Sequence, residues 1–167
     1  MQIKRDLRTL TAFATGLIVG VAAMAVVAQS NRIEGNMGIN HVGITVERMD
    51  EAIATYNTAF GFGEAAVLRD DKGQATLAFI HVNRNTFIEL SPTSPTNPSG
   101  LSHFGIQVSD AKAAAAALQQ RGVKIGDPRP GRTVSSITAT TDPYGVRMEL
   151  SELGPESMLG KAIAGWR

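Results

Sequence analysis

Two short patterns that contain metal-binding, proton-transferring side chains each occur twice in this chain. Segment 41–46 (HVGITV) matches segment 103–108 (HFGIQV) in the order His, apolar, Gly, Ile, polar, Val, 62 positions later. Segment 87–91 (FIELS) matches segment 147–151 (RMELS) in its Glu-Leu-Ser ending, 60 positions later. Imidazoles and carboxylates bind divalent cations and transfer protons near neutral pH. The chain therefore contains a duplicated unit, and each copy of the unit carries one histidine and one glutamate.

The four segments are predicted to be β-strands that place these ionisable side chains on one face. In segment 41–46 the apolar residues alternate with His41 and its small or polar neighbours, which is the period of a half-buried strand. His103 repeats this pattern. Glu89 lies on the face opposite Ile88 and Leu90, and Glu149 lies on the face opposite Met148 and Leu150. If the strands of each half curl into an open half-barrel, the four side chains converge on its concave face.

A divalent metal ion is the predicted partner of these side chains, because an ionised carboxylate in a half-buried cup is costly unless it is paired or bound to a cation. The predicted ligands are His41, Glu89, His103 and Glu149. Two imidazoles with two carboxylates suit Zn²⁺, Ni²⁺, Co²⁺, Mn²⁺ or Fe²⁺. One or two coordination positions would stay open for water or substrate oxygens. In the competing interpretation the histidines are hydrogen-bonded core residues and the glutamates lie on a solvated face.

Glu149 and Glu89 are also the candidate catalytic residues, and the expected partner is a small-molecule substrate. Because two glutamates neutralise a dication, one of them can leave the metal and act as a base while the metal stabilises an enediolate-like oxyanion. Arg129 or Arg132, in the loop 126–132, is a candidate for holding an anionic substrate. The chain has no cysteine, which excludes thiolate metal ligands and cysteine nucleophiles.

Each half of the chain shows the same order of elements. In the first half, strand 41–46 is followed by a helix from an Asp50 cap to about Phe60. Strands follow at 64–68, 75–82 and 86–91. In the second half, strand 103–108 is followed by an alanine-rich helix capped at Ser109 or Asp110, then by strands near 123–126, 132–140 and 146–152. Turn residues and apolar periodicity set these bounds. We expect an α+β fold in which two paired βαβββ modules form an open half-barrel.

The N-terminus is predicted to be a targeting segment, residues 1–28. Lys4, Arg5 and Arg8 precede an apolar run up to residue 28, the pattern of a secretory signal peptide. An uncleaved anchor is the alternative, because about 20 apolar residues span a bilayer. We expect export to the periplasm or the medium, with membrane attachment only if the segment is not cleaved. The other expected parts are a linker at 29–37, module 1 at 38–91, a proline-rich linker at 92–100, module 2 at 101–153 and a tail at 154–167 with helical spacing of its apolar residues.

The composition excludes several classes of protein. With 167 residues, 43% of them hydrophobic and 19% charged, the chain has the make-up of one globular domain or two small modules. A net charge of +1 and an aromatic content of 5% provide neither the basic surface nor the stacking platforms of a nucleic-acid binder. The order of elements does not decide whether the two modules pair within one chain or exchange across a homodimer.

The repeated motifs resemble those of the vicinal oxygen chelate superfamily, which includes glyoxalase I, methylmalonyl-CoA epimerase, extradiol dioxygenases and bleomycin-binding proteins. The resemblance covers about residues 38–153 and rests on NHVG at 40–43, FIEL at 87–90, LSHFG at 101–105 and TDPYGVRMEL at 141–150. It implies paired βαβββ modules and one metal held by residues of each module's first and last strands. Those positions are His41, Glu89, His103 and Glu149, a set similar to bacterial glyoxalase I. The resemblance implies that Glu149 moves the proton and that Glu89 is a second base.

Glutathione-dependent glyoxalase I activity is not expected, because the three positions at which that enzyme anchors glutathione are Thr45, Thr93 and Ser99 here. The resemblance favours a glyoxalase-like lyase or isomerase that acts on another small hydroxy-carbonyl compound. Two alternatives stay open. One is an extradiol-type dioxygenase with Fe²⁺ or Mn²⁺, for which His81 and Tyr144 are the acid/base candidates. The other is a non-catalytic protein that binds a small molecule or drug.

Overall fold

Residues 32–167 are described in a computed structural model. The predicted targeting segment, residues 1–28, lies outside the described residues, as does the beginning of the predicted linker at 29–37. Glu34–Arg167 form one compact unit. Among residues 32–167, no helix combines the length and the apolar character needed to cross a membrane.

Within the described residues the chain forms eight strands and three helices. Their order is β1 (Asn36–Val46), α1 (Met49–Ala59), β2 (Gly63–Arg69), β3 (Ala75–Asn83), β4 (Thr86–Pro92), β5 (Gly100–Val108), α2 (Ala111–Gln120), β6 (Arg129–Pro130), β7 (Ser136–Thr141), β8 (Arg147–Glu152) and α3 (Met158–Ala164). Elements β1 to β4 with α1 make one βαβββ module, and β5 to β8 with α2 make the second. The predicted α+β fold with two paired βαβββ modules is confirmed.

All eight strands belong to one sheet with the order β2-β3-β4-β1-β5-β8-β7-β6. In each module the first and last strands are parallel neighbours, β1 with β4 and β5 with β8. The two modules meet through the antiparallel pair of β1 and β5. The modules therefore pair within one chain, and the four strands that carry the predicted site residues lie side by side at the centre of the sheet.

Helices α1 and α2 cover one face of the sheet. Met49 and Ile53 of α1 pack against a cluster that includes Ile80 and Leu90, while α2 buries Ala111, Ala114, Ala115 and Leu118. The Asp110 side chain accepts a hydrogen bond of 2.8 Å from the Ala113 backbone N–H, so this residue caps α2 as expected. Because strand side chains alternate between faces, the helix-covered face takes the apolar residues and leaves the histidines and glutamates to the other face.

Residues 123–126, which were predicted to be a strand, form none. Backbone carbonyls in this segment accept hydrogen bonds from the side chains of Gln119, Thr138 and Thr140, at 2.7 to 2.9 Å. Side-chain donors thus satisfy the backbone that a strand partner would otherwise satisfy. The corresponding strand, β6, comprises only Arg129 and Pro130.

Several element ends also differ from the sequence prediction. Strands β1 and β5 begin earlier than expected, at Asn36 and Gly100. Strand β7 begins at Ser136 because Gly131 and Ser135 close a tight turn, with the Gly131 backbone N–H donating to the Ser135 carbonyl at 2.7 Å. Helix α1 begins after Arg48, which makes no side-chain cap bond. Asp50 is therefore not the cap but lies in the first turn, where its negative charge still favours the helix.

Helix α3 crosses from module 2 onto module 1. The Ser157 hydroxyl caps it by accepting a hydrogen bond of 2.9 Å from the Gly160 backbone N–H. Leu159 is 2% exposed and packs in a cluster with Leu77, Phe79 and Phe87. The tail thus closes one side of the concave face near the predicted site.

Candidate metal centre and cavity

Three of the four predicted metal ligands meet at the centre of the concave face. The Nε2 atoms of His41 and His103 are 3.2 Å apart. Each of these atoms lies 3.5 Å from Oε2 of Glu89. The donor atoms come from the adjacent strands β4, β1 and β5, and all lie within 4.8 Å of one another.

The spacing of these donors fits a single cation. With metal–ligand bonds of ~2.0–2.2 Å, two donors at tetrahedral or octahedral angles are separated by ~3.0–3.5 Å, and the three observed separations are 3.2, 3.5 and 3.5 Å. Both histidines are buried, at 1% and 7% exposure, so little water competes for the site. Two imidazoles and one carboxylate suit a first-row divalent ion.

The electrostatic environment keeps His41 neutral. Burial is the main reason that the pKa of His41 is lowered to about 4, and His103 and Arg147 lower it further, whereas Glu89 raises it. Because a metal ligand must be unprotonated at the donating nitrogen, a neutral His41 at pH 7 leaves a ring nitrogen available for a cation.

Glu149, the fourth predicted ligand, lies beside this group and is not part of it. Its Oε1 is 3.9 Å from Nε2 of His41. The Ser151 hydroxyl donates to Oε1 at 3.1 Å, and the Arg147 guanidinium donates to Oε2 at 3.0 Å. The carboxylate is 8% exposed and held by two side-chain donors. It is thus placed to act on a molecule bound at the three-donor group.

Sequence reasoning missed the residues that hold the other edge of each imidazole. Oδ1 of Asn40 is 3.0 Å from Nδ1 of His41, and Oγ of Ser102 is 2.9 Å from Nδ1 of His103. The signal was present in the repeat, because a polar residue precedes the histidine in both halves. Strand alternation hid it, since neighbouring side chains of a regular strand point to opposite faces.

A cavity of about 300 Å³ opens on the site. His41, Glu89 and Glu149 lie in its wall, with an apolar side that includes Phe79 and Leu159. The rest of the wall is mainly hydroxyl and charged side chains, and a cavity of this volume fits a small molecule.

Three arginines also line the cavity. Arg147 pairs with Glu149, and Arg132 donates to the Thr76 carbonyl at 2.9 Å. Arg129 pairs through its backbone with β7, but its side chain makes no hydrogen bond or ion pair within residues 32–167. The cavity thus has one cationic side chain available to an anionic ligand.

The two candidate acid/base residues of a dioxygenase lie elsewhere. His81 packs between Phe87 and Trp166, with ring centroids 4.6 and 4.8 Å away. Tyr144 is 91% exposed in the turn before β8. Neither residue lines the cavity.

Comparison with solved structures shows the same fold in several proteins. The methylmalonyl-CoA epimerase from Mycobacterium tuberculosis is 26% identical with a TM-score of 0.64, and the match covers 75% of this chain and 93% of that one. A variant of the Streptomyces coelicolor methylmalonyl-CoA epimerase, in complex with 2-nitronate-propionyl-CoA, is 25% identical with a TM-score of 0.63, covering 73% and 98%. A hypothetical protein from Bacillus halodurans C-125 is 20% identical with a TM-score of 0.60, covering 72% and 96%.

Among curated proteins no match reaches significance. The family model of the Glyoxalase/Bleomycin resistance protein/Dioxygenase superfamily matches residues 38–150. This match spans both modules and all four predicted site residues, and it confirms the resemblance inferred from the repeated motifs. The chain belongs to the Glyoxalase/Bleomycin resistance protein/Dioxygenase superfamily.

Proposed function

We propose that this protein is a metal-dependent, glyoxalase-like lyase or isomerase that moves a proton on the carbon next to a carbonyl group. The observation that carries the proposal is the placement of two carboxylates on either side of the histidine pair. Glu89 on β4 and Glu149 on β8 flank the central strands β1 and β5, which carry His41 and His103. One carboxylate can remove a proton and the other can return it.

The side chains have distinct roles in this proposal. His41, His103 and Glu89 would hold the metal, which when bound supplies a Lewis acid for an enediolate-like oxygen. Glu149 accepts the proton from carbon, because its carboxylate is largely buried, lies close to the three donors and can take up a proton while it is ionised. The hydrogen bond from Ser151 and the ion pair with Arg147 hold the Glu149 carboxylate in place. Glu89 is the candidate second base.

The cavity supports a small substrate, which we propose to be a hydroxy-carbonyl compound. A volume of about 300 Å³ accepts a compact molecule or the acyl end of a larger one. Glutathione is disfavoured, because Thr45, at one of the positions expected to anchor it, is buried and donates its hydroxyl to the Gly100 carbonyl at 3.2 Å. Ser99, at another, donates to the Thr45 carbonyl at 3.3 Å. The structural likeness to methylmalonyl-CoA epimerases supports the isomerase class.

Hydrogen–deuterium exchange tests the proposed function. Protein loaded with Ni²⁺, Zn²⁺ or Co²⁺ is incubated in D₂O with a panel of α-hydroxy acids, α-keto acids, acyl thioesters and hemithioacetals, and NMR follows the proton next to each carbonyl. We expect metal-dependent exchange on at least one class of compound and its loss in Glu149→Gln. A metal-loaded protein that exchanges none of them would contradict the proposal.

A dioxygenase remains the second candidate because His41, His103 and Glu89 are themselves a set of two histidines and one carboxylate, the ligand type of non-haem Fe²⁺ oxygenases. Catechol-dependent oxygen uptake by the Fe²⁺-loaded protein would favour it. The absence of His81 and Tyr144 from the cavity wall removes the acid/base groups that the sequence offered for this chemistry. A non-catalytic binder is separated from both enzymes by metal analysis, since stoichiometric metal favours an enzyme.

We also propose that the protein is exported, on the strength of the basic start and apolar run of residues 1–28. N-terminal sequencing of the protein from fractionated cells tests this, with cleavage near residue 28 expected. An intact N-terminus in the cytoplasmic fraction would contradict it. The three proposed metal donors come from one chain, and a homodimer stays a prediction.

A further inference from the structure

The pairing of the two central strands contains a bulge immediately before each site histidine. In β1, Ile39 pairs with Ile106 and His41 pairs with Gly105, which leaves Asn40 as the extra residue. A bulge inserts one unpaired residue and redirects its side chain. Here it brings the Asn40 side chain next to the ring of His41.

The same irregularity recurs in the opposite direction on β5. His103 pairs with Gly43 and Leu101 pairs with Ile44, which leaves Ser102 as the extra residue. Its hydroxyl then reaches Nδ1 of His103 at 2.9 Å. The duplication thus preserves a bulge and a polar side chain in both modules, although the polar residue differs.

The two ring nitrogens of His41 have different neighbours. At the Nδ1 edge, His41 meets Oδ1 of Asn40 at 3.0 Å, and Asn40 is 1% exposed. At the Nε2 edge, His41 meets Nε2 of His103 and Oε2 of Glu89. The polar residue of the bulge is therefore on the side of the ring away from the proposed metal.

We propose that Asn40 and Ser102 are positioning residues. Asn40 keeps the proton of His41 on Nδ1 and so leaves Nε2 free to bind the cation, and Ser102 orients the ring of His103 in the same way. An amide oxygen can only accept a hydrogen bond, so Oδ1 of Asn40 requires a proton on Nδ1 of His41. A hydrogen bond at one ring nitrogen selects the tautomer and orients the other nitrogen toward a metal. This inference rests on the proposed metal role of the two histidines.

The two positions differ in how strictly they select the tautomer. The Ser102 hydroxyl can donate or accept, so it supports His103 in either tautomer and adapts to the one that the metal requires. The amide of Asn40 has no such freedom once Oδ1 faces the ring. Its Nδ2 is buried and has no hydrogen-bond partner within the described part of the chain. A rotated amide would instead donate from Nδ2 and move the His41 proton to Nε2, which would block the cation.

NMR of the metal-free, ¹⁵N-labelled protein at pH 7 tests the tautomer directly and needs no variant. Imidazole ¹H–¹⁵N correlations distinguish a protonated from an unprotonated ring nitrogen. We expect His41 to carry its proton on Nδ1 and not on Nε2. A proton on Nε2 of His41 in the metal-free protein overturns the proposal, whether or not the protein binds metal.

Two pairs of variants test the consequence for binding. Asn40→Leu removes the Oδ1 acceptor and keeps a side chain of similar size, whereas Asn40→Asp keeps the acceptor oxygen. Ser102→Ala removes the hydroxyl, and Ser102→Thr keeps it. In competition with a chromophoric chelator we expect Asn40→Leu to bind Zn²⁺ ~10- to 100-fold more weakly. Ser102→Ala should lose less Zn²⁺ affinity, and Asn40→Asp and Ser102→Thr should bind Zn²⁺ nearly as tightly as the wild-type protein.

The outcomes separate this inference from the proposed function. Folded Asn40→Leu protein with wild-type Zn²⁺ affinity and an unchanged His41 tautomer would overturn the positioning role. If wild-type protein binds neither Zn²⁺, Ni²⁺ nor Co²⁺, the proposed function fails, while the NMR measurement still decides the tautomer. Circular dichroism shows whether each variant is folded, and the unmodified protein decides the tautomer if Asn40→Leu is not.

Discussion

Gly105 lies directly opposite His41 in the β1–β5 pair, and the imidazole of His41 occupies the space that a Cβ atom on residue 105 would need. Such an atom would lie 1.9 Å from Cε1 of the ring. The relationship is reciprocal, because a Cβ on Gly43 would lie 2.1 Å from Cε1 of His103. Each module thus provides the glycine that makes room for the histidine of the other, which explains why histidine and glycine recur together at the same spacing.

Adding a methyl group at either glycine is expected to displace a metal ligand. Neither Gly43 nor Gly105 has a positive φ, so the backbone at both positions can accept alanine. The added methyl group would then collide with the imidazole. We expect Gly43→Ala and Gly105→Ala to lower Zn²⁺ affinity by ~10- to 100-fold, measured by chelator competition. Gly63→Ala is the control, because a Cβ there meets nothing within 4 Å. Wild-type affinity in both site variants would show that the rings are not held as described.

The two glutamates are expected to separate binding from chemistry. Glu89 belongs to the three-donor group and Glu149 does not, so Glu89→Gln should weaken Zn²⁺ binding more than Glu149→Gln. Glu149→Gln should keep most of the metal but lower proton exchange by at least ~10²-fold, the contribution typical of a positioned general base. Metal analysis beside the D₂O exchange assay measures both. Equal metal loss in the two variants would show that Glu149 binds the metal directly, as Glu89 is proposed to do.

The unpaired arginine of the cavity is expected to select anionic ligands. Arg129→Leu should weaken the binding of small carboxylates to the metal-loaded protein by roughly 3- to 10-fold, since Arg129 is exposed and a charged hydrogen bond from an exposed side chain is worth about 1 kcal/mol. Calorimetric titration with a carboxylate and with its neutral amide measures the difference. The control is Arg84→Leu, in the exposed β3–β4 turn, which should change neither the carboxylate affinity nor the amide affinity. If Arg129→Leu weakened amide binding as much as carboxylate binding, charge recognition by Arg129 would be wrong.

The sequence predicted the parts of the site that follow strand periodicity. His41 and Glu89 share a face because their strands alternate apolar and polar residues, and the repeat predicts that His103 does the same. The contact between Asn40 and His41 could not be predicted, since Asn40 reaches the ring only through a bulge, which depends on cross-strand register. The register depends on how two strands pair, and the pattern of a single strand does not determine it.

The second module shows a similar limit at its edge. Residues 123–126 contain alternating apolar residues, but their carbonyls bind the side chains of Gln119, Thr138 and Thr140. A hydroxyl on a neighbouring strand competes with a backbone partner in a way that local pattern does not reveal. Strand periodicity places Arg147 and Ser151 beside Glu149, but not the two hydrogen bonds that they donate to its carboxylate outside the three-donor group.

Acid is expected to destabilise the metal-free protein between about pH 6.5 and 4. The folded pKa of His41 is lowered from 6.5 to about 4 by burial, so in this range the unfolded chain binds more protons and the free energy of unfolding falls as the pH falls. The loss from His41 alone is on the order of 3 kcal/mol. Urea unfolding in the presence of a chelator at several pH values measures it.

His41→Gln is the control for this pH dependence and should remove most of the slope. A smaller slope of the same sign should remain, because burial also lowers the pKa of His81. If stability were flat from pH 6.5 to 4 in the wild-type protein, the buried, neutral state of His41 would be wrong.

Helix α3 is expected to stabilise the fold through one side chain and to shape the cavity through the same contact. Leu159 is 2% exposed, packs with Leu77 and Phe79, and lines the cavity. Leu159→Ala should lower the free energy of unfolding by ~2–5 kcal/mol, the cost of a leucine-sized void, whereas the neighbouring Met158→Ala, at 37% exposure, should cost less than about 1 kcal/mol. Because Leu159 lines the cavity but supplies no metal donor, Zn²⁺ affinity should change far less than carboxylate affinity. Urea unfolding and calorimetry measure the two effects. Equal stability losses in the two variants would show that α3 does not pack on module 1 through Leu159.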